Sequence, residues 1–302
     1  MNLKLIYILL IIKGLIMSNL LNAAPYFGVD IDLHNVAVDI RVNDVPVYFD
    51  ELRGQTTVEV PAPDSIFDGN NSLSVSTSFT KDFEGVVRSD FEPGAYVSAV
   101  LFRQDGKGSK QNLTSILIKL TTDGIDSIET ENFITGTKSN PKLEISARGR
   151  VLVKEEVEIK SPFPRWVWQD GKTIENSDDN FNSLMAQYEK IHKALQNQDK
   201  KTIFDLYSAR AKEVAVAYSL GGETEGHKKI STGMDMVDDK LKLFKLFTDN
   251  MRLDIVGNGK LARIVDNEFT QPILFTEPAA RLFHFHKFMF YLNKDNQWVM
   301  IR

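Results

Sequence analysis

The segment Arg281-Leu282-Phe283-His284-Phe285-His286-Lys287-Phe288 holds the densest group of side chains able to do chemistry. In an extended strand, side chains two apart share a face, so His284, His286 and Phe288 align with Phe290 on one side. Two neighbouring imidazoles can bind a metal ion or serve as acid and base near neutral pH. A metal would need a third ligand, and no other His, Asp or Glu stands at a diagnostic spacing. The pair reads more simply as two histidines at a half-buried sheet edge or an interface, and neither a metal nor a cofactor is expected.

Trp166 and Trp168 form the second candidate site. Two apart in an extended segment, they would share a face and could stack on a sugar or a partner. The same rings could instead seal a joint between two folded units, where large amphipathic rings commonly pack, and this reading is preferred. Acid-base chemistry would require a tuned carboxylate and a hydrogen-bond donor. Asp254, Asp266 and Asp205 could supply the first, and Tyr188, Tyr207 or Tyr218 the second. Asp205 reads equally well as a solvated helix residue, and Asp254, between Leu253 and Ile255, as an outward strand position.

Other motifs are excluded by spacing. Gly257-Asn258-Gly259-Lys260 lacks the spacer and the hydroxyl residue of a phosphate loop. Asp235-Met236-Val237-Asp238-Asp239 lacks the alternating oxygen ligands of a calcium loop and reads as a helix start. No serine sits in a glycine-flanked elbow. The absence of cysteine removes disulfides, thiolate metal sites and a thiol nucleophile. No catalytic residue is assigned.

These residues must be positioned by two kinds of element. From Pro25 to about Lys160 the pattern has period two: Val29, Ile31 and Leu33 alternate with Asp30 and Asp32, and Val36, Val38, Ile40 and Val42 follow suit. Strands are expected also at 45–49, 57–60, 72–79, 95–103, 113–120, 143–147 and 151–159, with turns at Asn43-Asp44, Asp68-Gly69-Asn70, Asp105-Gly106 and Asp123-Gly124. Seven or more short strands without a helix imply an antiparallel β-sandwich over residues 25–160. Residues 161–176, with Pro162 and Pro164 beside the tryptophans, read as a linker.

Beyond the linker the period becomes 3.6. Phe181, Leu184, Tyr188, Ile191 and Leu195 mark one helix, with Ser177 or Asp178 as its cap. A second is expected near 201–219, ending at Gly221-Gly222, and a third over 234–247. Strands follow at 251–256, 261–266, 272–275, 281–292 and 298–302, with Asn258-Gly259 as a two-residue hairpin.

At 302 residues, 42% hydrophobic and 25% charged, the chain can fill two cores. Its first 24 residues carry Lys4, an apolar run from Leu5 to Ile12, and small residues at Ala23 and Ala24, the build of a secretory signal peptide. Lys13 interrupts the apolar stretch and Pro25 follows Ala24, so the cleavage bond is not assigned. Removing Lys4 and Lys13 takes the net charge from -5 to -7, and no basic face exists for nucleic acid. Export without cysteine suggests the periplasm, and no stable membrane span is expected once the leader is removed.

Helices followed by an antiparallel sheet, with Trp298 near its end and the helix end Ala194-Leu195-Gln196-Asn197-Gln198-Asp199, resemble the nuclear transport factor 2-like superfamily over residues 177–302. The resemblance implies a cone-shaped α+β fold in which the curved sheet could line a pocket around His284 and His286. It gives a scaffold shared by isomerases, dehydratases and non-catalytic modules, and no activity. The N-terminal half resembles no family.

The leading expectation is a non-enzymatic periplasmic binding protein that recognises another protein. An immunity protein occluding an exported toxin is one concrete form. The alternatives are a small-molecule binder or acid-base enzyme using the C-terminal pocket, and an envelope assembly or adhesion factor.

Overall fold

A computed structural model describes residues 24–82, 84–139, 150–230, 242–277, 282–285 and 287–302. The expected leader lies outside them except for Ala24, as do His286, the acidic run at 235–239 and the strand expected at 143–147. The described residues form antiparallel β-sheets and three helices.

The N-terminal half contains β1 (Tyr26–His34), β2 (Ala37–Val42), β3 (Val45–Asp50), β4 (Gln55–Pro61), β5 (Gly69–Ser78), β6 (Tyr96–Gln104), β7 (Gln111–Thr121), β8 (Gly124–Asn132), β9 (Thr137–Ser139) and β10 (Val151–Ile159). They form a six-stranded sheet, β4-β1-β6-β7-β8-β9, and a four-stranded sheet, β10-β5-β2-β3. Alternation sets the inward faces: Phe27, Val29, Ile31 and Leu33 of β1 join Val38, Ile40 and Val42 of β2 in one core. Asn43 and Asp44 both take positive φ, 54° and 62°, closing the β2–β3 hairpin in two residues as their types favour.

Two strands escaped the alternation rule. In β8 the buried face carries Thr130 and Asn132 beside Ile128, so its pattern does not look amphipathic. Their polar groups are satisfied: Thr130 Oγ1 meets Ser139 Oγ at 2.7 Å, and Asn132 Nδ2 donates to the Glu156 carbonyl at 3.0 Å. The three-residue β9 is exposed throughout.

The C-terminal half begins with α1 (Asp178–Gln196), α2 (Lys200–Ala217) and α3 (Glu223–Lys229). Ser177 caps α1 by accepting from Asn180 N. The segment Ala194 to Asp199 is a compact helix-to-helix turn. Gln198 takes φ 52°, and Asp199 caps α2 by accepting from Thr202 N at 3.1 Å. The strands are β11 (Lys242–Leu243), β12 (Arg252–Val256), β13 (Leu261–Val265), β14 (Leu274–Glu277), β15 (Leu282–Phe285), β16 (Phe290–Leu292) and β17 (Trp298–Met300). They make two sheets, β11-β14-β15 and β12-β13-β16-β17.

Three expectations are corrected here. Of the helix expected over 234–247, residues 234–241 lie outside the described residues; in the remainder Lys242–Leu243 is a strand paired with β14, and the third described helix is α3. The single strand expected at 281–292 is two strands in different sheets. The β12–β13 loop spans four residues, Gly257 to Lys260, because Val256 pairs with Leu261.

Candidate functional site

The expected site residues occupy three places, and most are committed to packing. Trp166 and Trp168 are 2% and 1% exposed. Trp166 Nε1 donates to the Ile66 carbonyl at 2.9 Å, and its ring lies 5.4 Å from that of Phe163. Trp168 meets Phe67 at 5.5 Å. The stacking-platform reading is therefore corrected, since neither indole has a face open to a ligand. Their core also takes in Val256, Leu261, Met289 and Ile301, which joins the two halves of the chain.

Phe288 is likewise buried and offers no binding surface, contrary to its place among the candidates. Its ring packs on Tyr188 at 5.9 Å and Tyr207 at 6.1 Å, with Phe290 5.4 Å from Tyr188. These four rings fill the space between the helices and the sheet where a pocket was anticipated. Tyr188 is no free donor: its hydroxyl donates to Gln271 Oε1 at 3.0 Å and accepts from Ile264 N at 3.2 Å. Burial pushes its pKa well above the ordinary tyrosine value. His284 falls in β15, with its backbone opposite Phe275; its side chain, like His286, lies outside the described residues.

The carboxylates are also engaged. Asp254, expected to face solvent, is buried and paired with Arg263 Nε at 2.7 Å, and the Arg263 guanidinium lies 5.5 Å from the centre of the Phe269 ring. Asp205 is an exposed partner of Lys201 one helical turn away. At the α2–α3 contact, Ser208 donates to Glu223 at 2.5 Å, and His227 Nε2 lies 3.7 Å from the same carboxylate. The carboxylate stands where an imidazole would have to be to activate the serine, so this trio is not a nucleophile site. Among the described residues, no group of three His, Cys, Asp or Glu could hold a metal ion.

One titratable group stands out at the joint. Glu213 of α2 is 6% exposed, and among the described residues neither carboxylate oxygen has a hydrogen-bond partner. Arg302 beside it is bound to the Asp64 carboxylate and carbonyl, and among the described residues Arg210 Nε has no hydrogen-bond partner. Burial pushes the Glu213 pKa up to about 8, against the opposing pull of Arg302 and Arg210.

A concavity of about 870 Å³ lies on the outward face of the six-stranded sheet. It shares Ser98 and Val100 with an adjoining depression of about 330 Å³, so the two form one trough. Strand register builds it in two rows. The first runs Glu59, Asp30, Val100, Ser115, Glu131, Lys138 across the strands. The second runs Thr57, Asp32, Ser98, Leu117, Glu129. Small or apolar residues from β6 and β7 make the floor, and carboxylates from β1, β4 and β8 make the two walls.

Local partners hold the walls in place. Lys110 lies 2.7 Å from both Asp30 and Glu59, over the Phe102 ring. Its hydrogen bond holds the Glu59 carboxyl below the usual range. Asp32 accepts from Tyr96 and Thr57, each at 3.0 Å. Across the floor, Glu131 pairs with Lys138 at 3.2 Å, and Lys119 reaches Glu129 only at 4.0 Å. Carboxylates gathered on an open face suit recognition of positive charge.

Comparison with known proteins leaves the site to speak for itself. No protein family, curated protein or solved structure matches this chain. None of the trough residues was singled out by sequence, although Asp30 and Asp32 were visible as the outward positions of β1. Among the described residues, no helix is long and apolar enough to cross a membrane.

Proposed function

We propose that this chain is an exported, non-enzymatic binding protein that recognises another protein in the periplasm. In this reading its N-terminal half is a β-sandwich and its C-terminal half an NTF2-like cone whose interior serves as a core. The observation that carries the reading is the trough: a broad, walled concavity on an outward sheet face, well away from the ring-filled interior of the helical half. An open face of this kind suits a macromolecular surface, whereas small-molecule sites are enclosed and mostly apolar. The leader-like first 24 residues support the compartment, and an immunity protein that occludes an exported toxin is the concrete form favoured.

The test is a pulldown from periplasm with the wild-type chain and with Ser115→Trp, which fills the trough floor. The expected outcome is one protein recovered at stoichiometric yield by the wild type and lost by the variant, with both chains equally folded by circular dichroism. Recovery of nothing by folded wild-type protein refutes the reading.

A further inference from the structure

The trough's charge and width restrict what can occupy it. Its lining contains six carboxylates, Asp30, Asp32, Glu59, Asp126, Glu129 and Glu131, against Lys110 and Lys138, a balance of -4. Counting Lys119, which approaches Glu129 from one end, leaves -3. Without Lys4 and Lys13 the chain carries -7, so about half of its net charge is gathered on this face. Potentials across specific interfaces are complementary, and a concave surface concentrates the field.

Geometry narrows the choice further. The floor strands β6 and β7 are each hydrogen-bonded on both sides, so no added strand can pair there and the occupant must be held by side chains. The carboxylates of β1 and β8 stand three strand spacings apart, about 14 Å at ~4.8 Å per step. An α-helix with its side chains is about 10–12 Å across, which fills that gap and lets both flanks reach a wall. Along the strands, Asp30 and Asp32, like Glu129 and Glu131, are two residues and so about 6.7 Å apart. A helix turn of about 5.4 Å is close enough for long, flexible lysine or arginine side chains to meet both members of each pair.

We propose that the partner enters the trough with a basic helical segment, its lysines or arginines meeting the two carboxylate walls and its small or apolar face resting on Ser98, Val100, Ser115 and Leu117. This rests on the trough being the recognition surface, and it adds the chemistry of what is recognised.

The probe is a synthetic helical peptide of about 20 residues with lysine on both flanks and alanine and leucine between, titrated into the full chain by calorimetry. Its counterpart has every lysine replaced by glutamate. The expected result is saturable binding of the lysine peptide alone, weakening about tenfold or more when salt rises from about 50 mM to about 500 mM. The double variant Glu129→Lys/Glu131→Lys should lose binding at least about tenfold, while Glu156→Lys/Glu158→Lys, exposed on β10 of the other sheet, should not. Equal loss in both double variants, or equal binding of the glutamate peptide, overturns the proposal. The two readings separate through Ser115→Trp. If that variant loses the periplasmic partner while the lysine peptide ignores Glu129 and Glu131, recognition by the trough stands and the basic helix is wrong. If the variant still captures the partner, the trough reading itself falls.

Discussion

Replacing Glu213 with glutamine should stabilise this protein, and by an amount that grows with pH. The carboxyl of Glu213 is buried at the joint with no hydrogen-bond partner among the described residues, so its ionised form is strongly disfavoured in the folded chain. Its folded pKa is about 8, against 4.5 for an ordinary glutamate. Between those values the native state keeps a proton that the unfolded state has released, so stability falls as pH rises through the window. Each pH unit lowers it by about 1.4 kcal/mol. The accumulated loss is about 3 kcal/mol by pH 7 and about 5 kcal/mol by pH 8, beyond which it levels off. Glutamine keeps the shape and does not titrate. Urea unfolding of both chains at pH 5, 6, 7 and 8 measures the difference directly. The two should be nearly equal at pH 5 and diverge steadily above it. A difference that stays constant from pH 5 to pH 8 refutes the reasoning, because the substitution would then be acting through packing and not through the proton.

Three further outcomes follow from the packing. Asp64→Asn leaves the Arg302 guanidinium short of its counter-charge across the joint and should cost about 2 kcal/mol in denaturant unfolding, the pair being only partly buried. Trp166→Phe removes the indole bond to the Ile66 carbonyl and should cost about 1–3 kcal/mol, read as a lower urea midpoint with the slope unchanged. Tyr188→Phe strands the Ile264 amide and one acceptor position of Gln271, with a loss of about 1–2 kcal/mol; capture of the periplasmic partner should be unaffected, since this hydroxyl is remote from the trough.

Much of the architecture was legible because the signals for it are local. Strict alternation in β1 and β2 can be buried on only one face, and the 3.6 spacing of Leu184, Tyr188, Ile191 and Leu195 demands a helix. The Asn43-Asp44 pair tolerates positive φ, so the β2–β3 turn could be read from residue type. The same logic failed where burial was polar, as at Thr130 and Asn132 of β8. It failed too where one apolar run fed two sheets, as at β15 and β16. Asp254 shows the limit of alternation: the rule says which face a residue takes, but not that Arg263, itself packed on Phe269, will pair with it there.

The candidate site depended on neighbours that no spacing reveals. Asp30 and Glu129 are far apart in sequence, and they wall one trough only because β6 and β7 come between β1 and β8 in the sheet. Glu213 reads as one more polar position on α2 until the chain brings Asp64 and Arg302 beside it and shuts out water. Residue order decided which elements form and which of their faces turn inward, because those depend on backbone sterics and the period of apolar side chains. The three-dimensional arrangement decided which outward faces stay open, which rings close the joint and which charges lose their solvent, because burial is settled by contacts between segments remote in the chain.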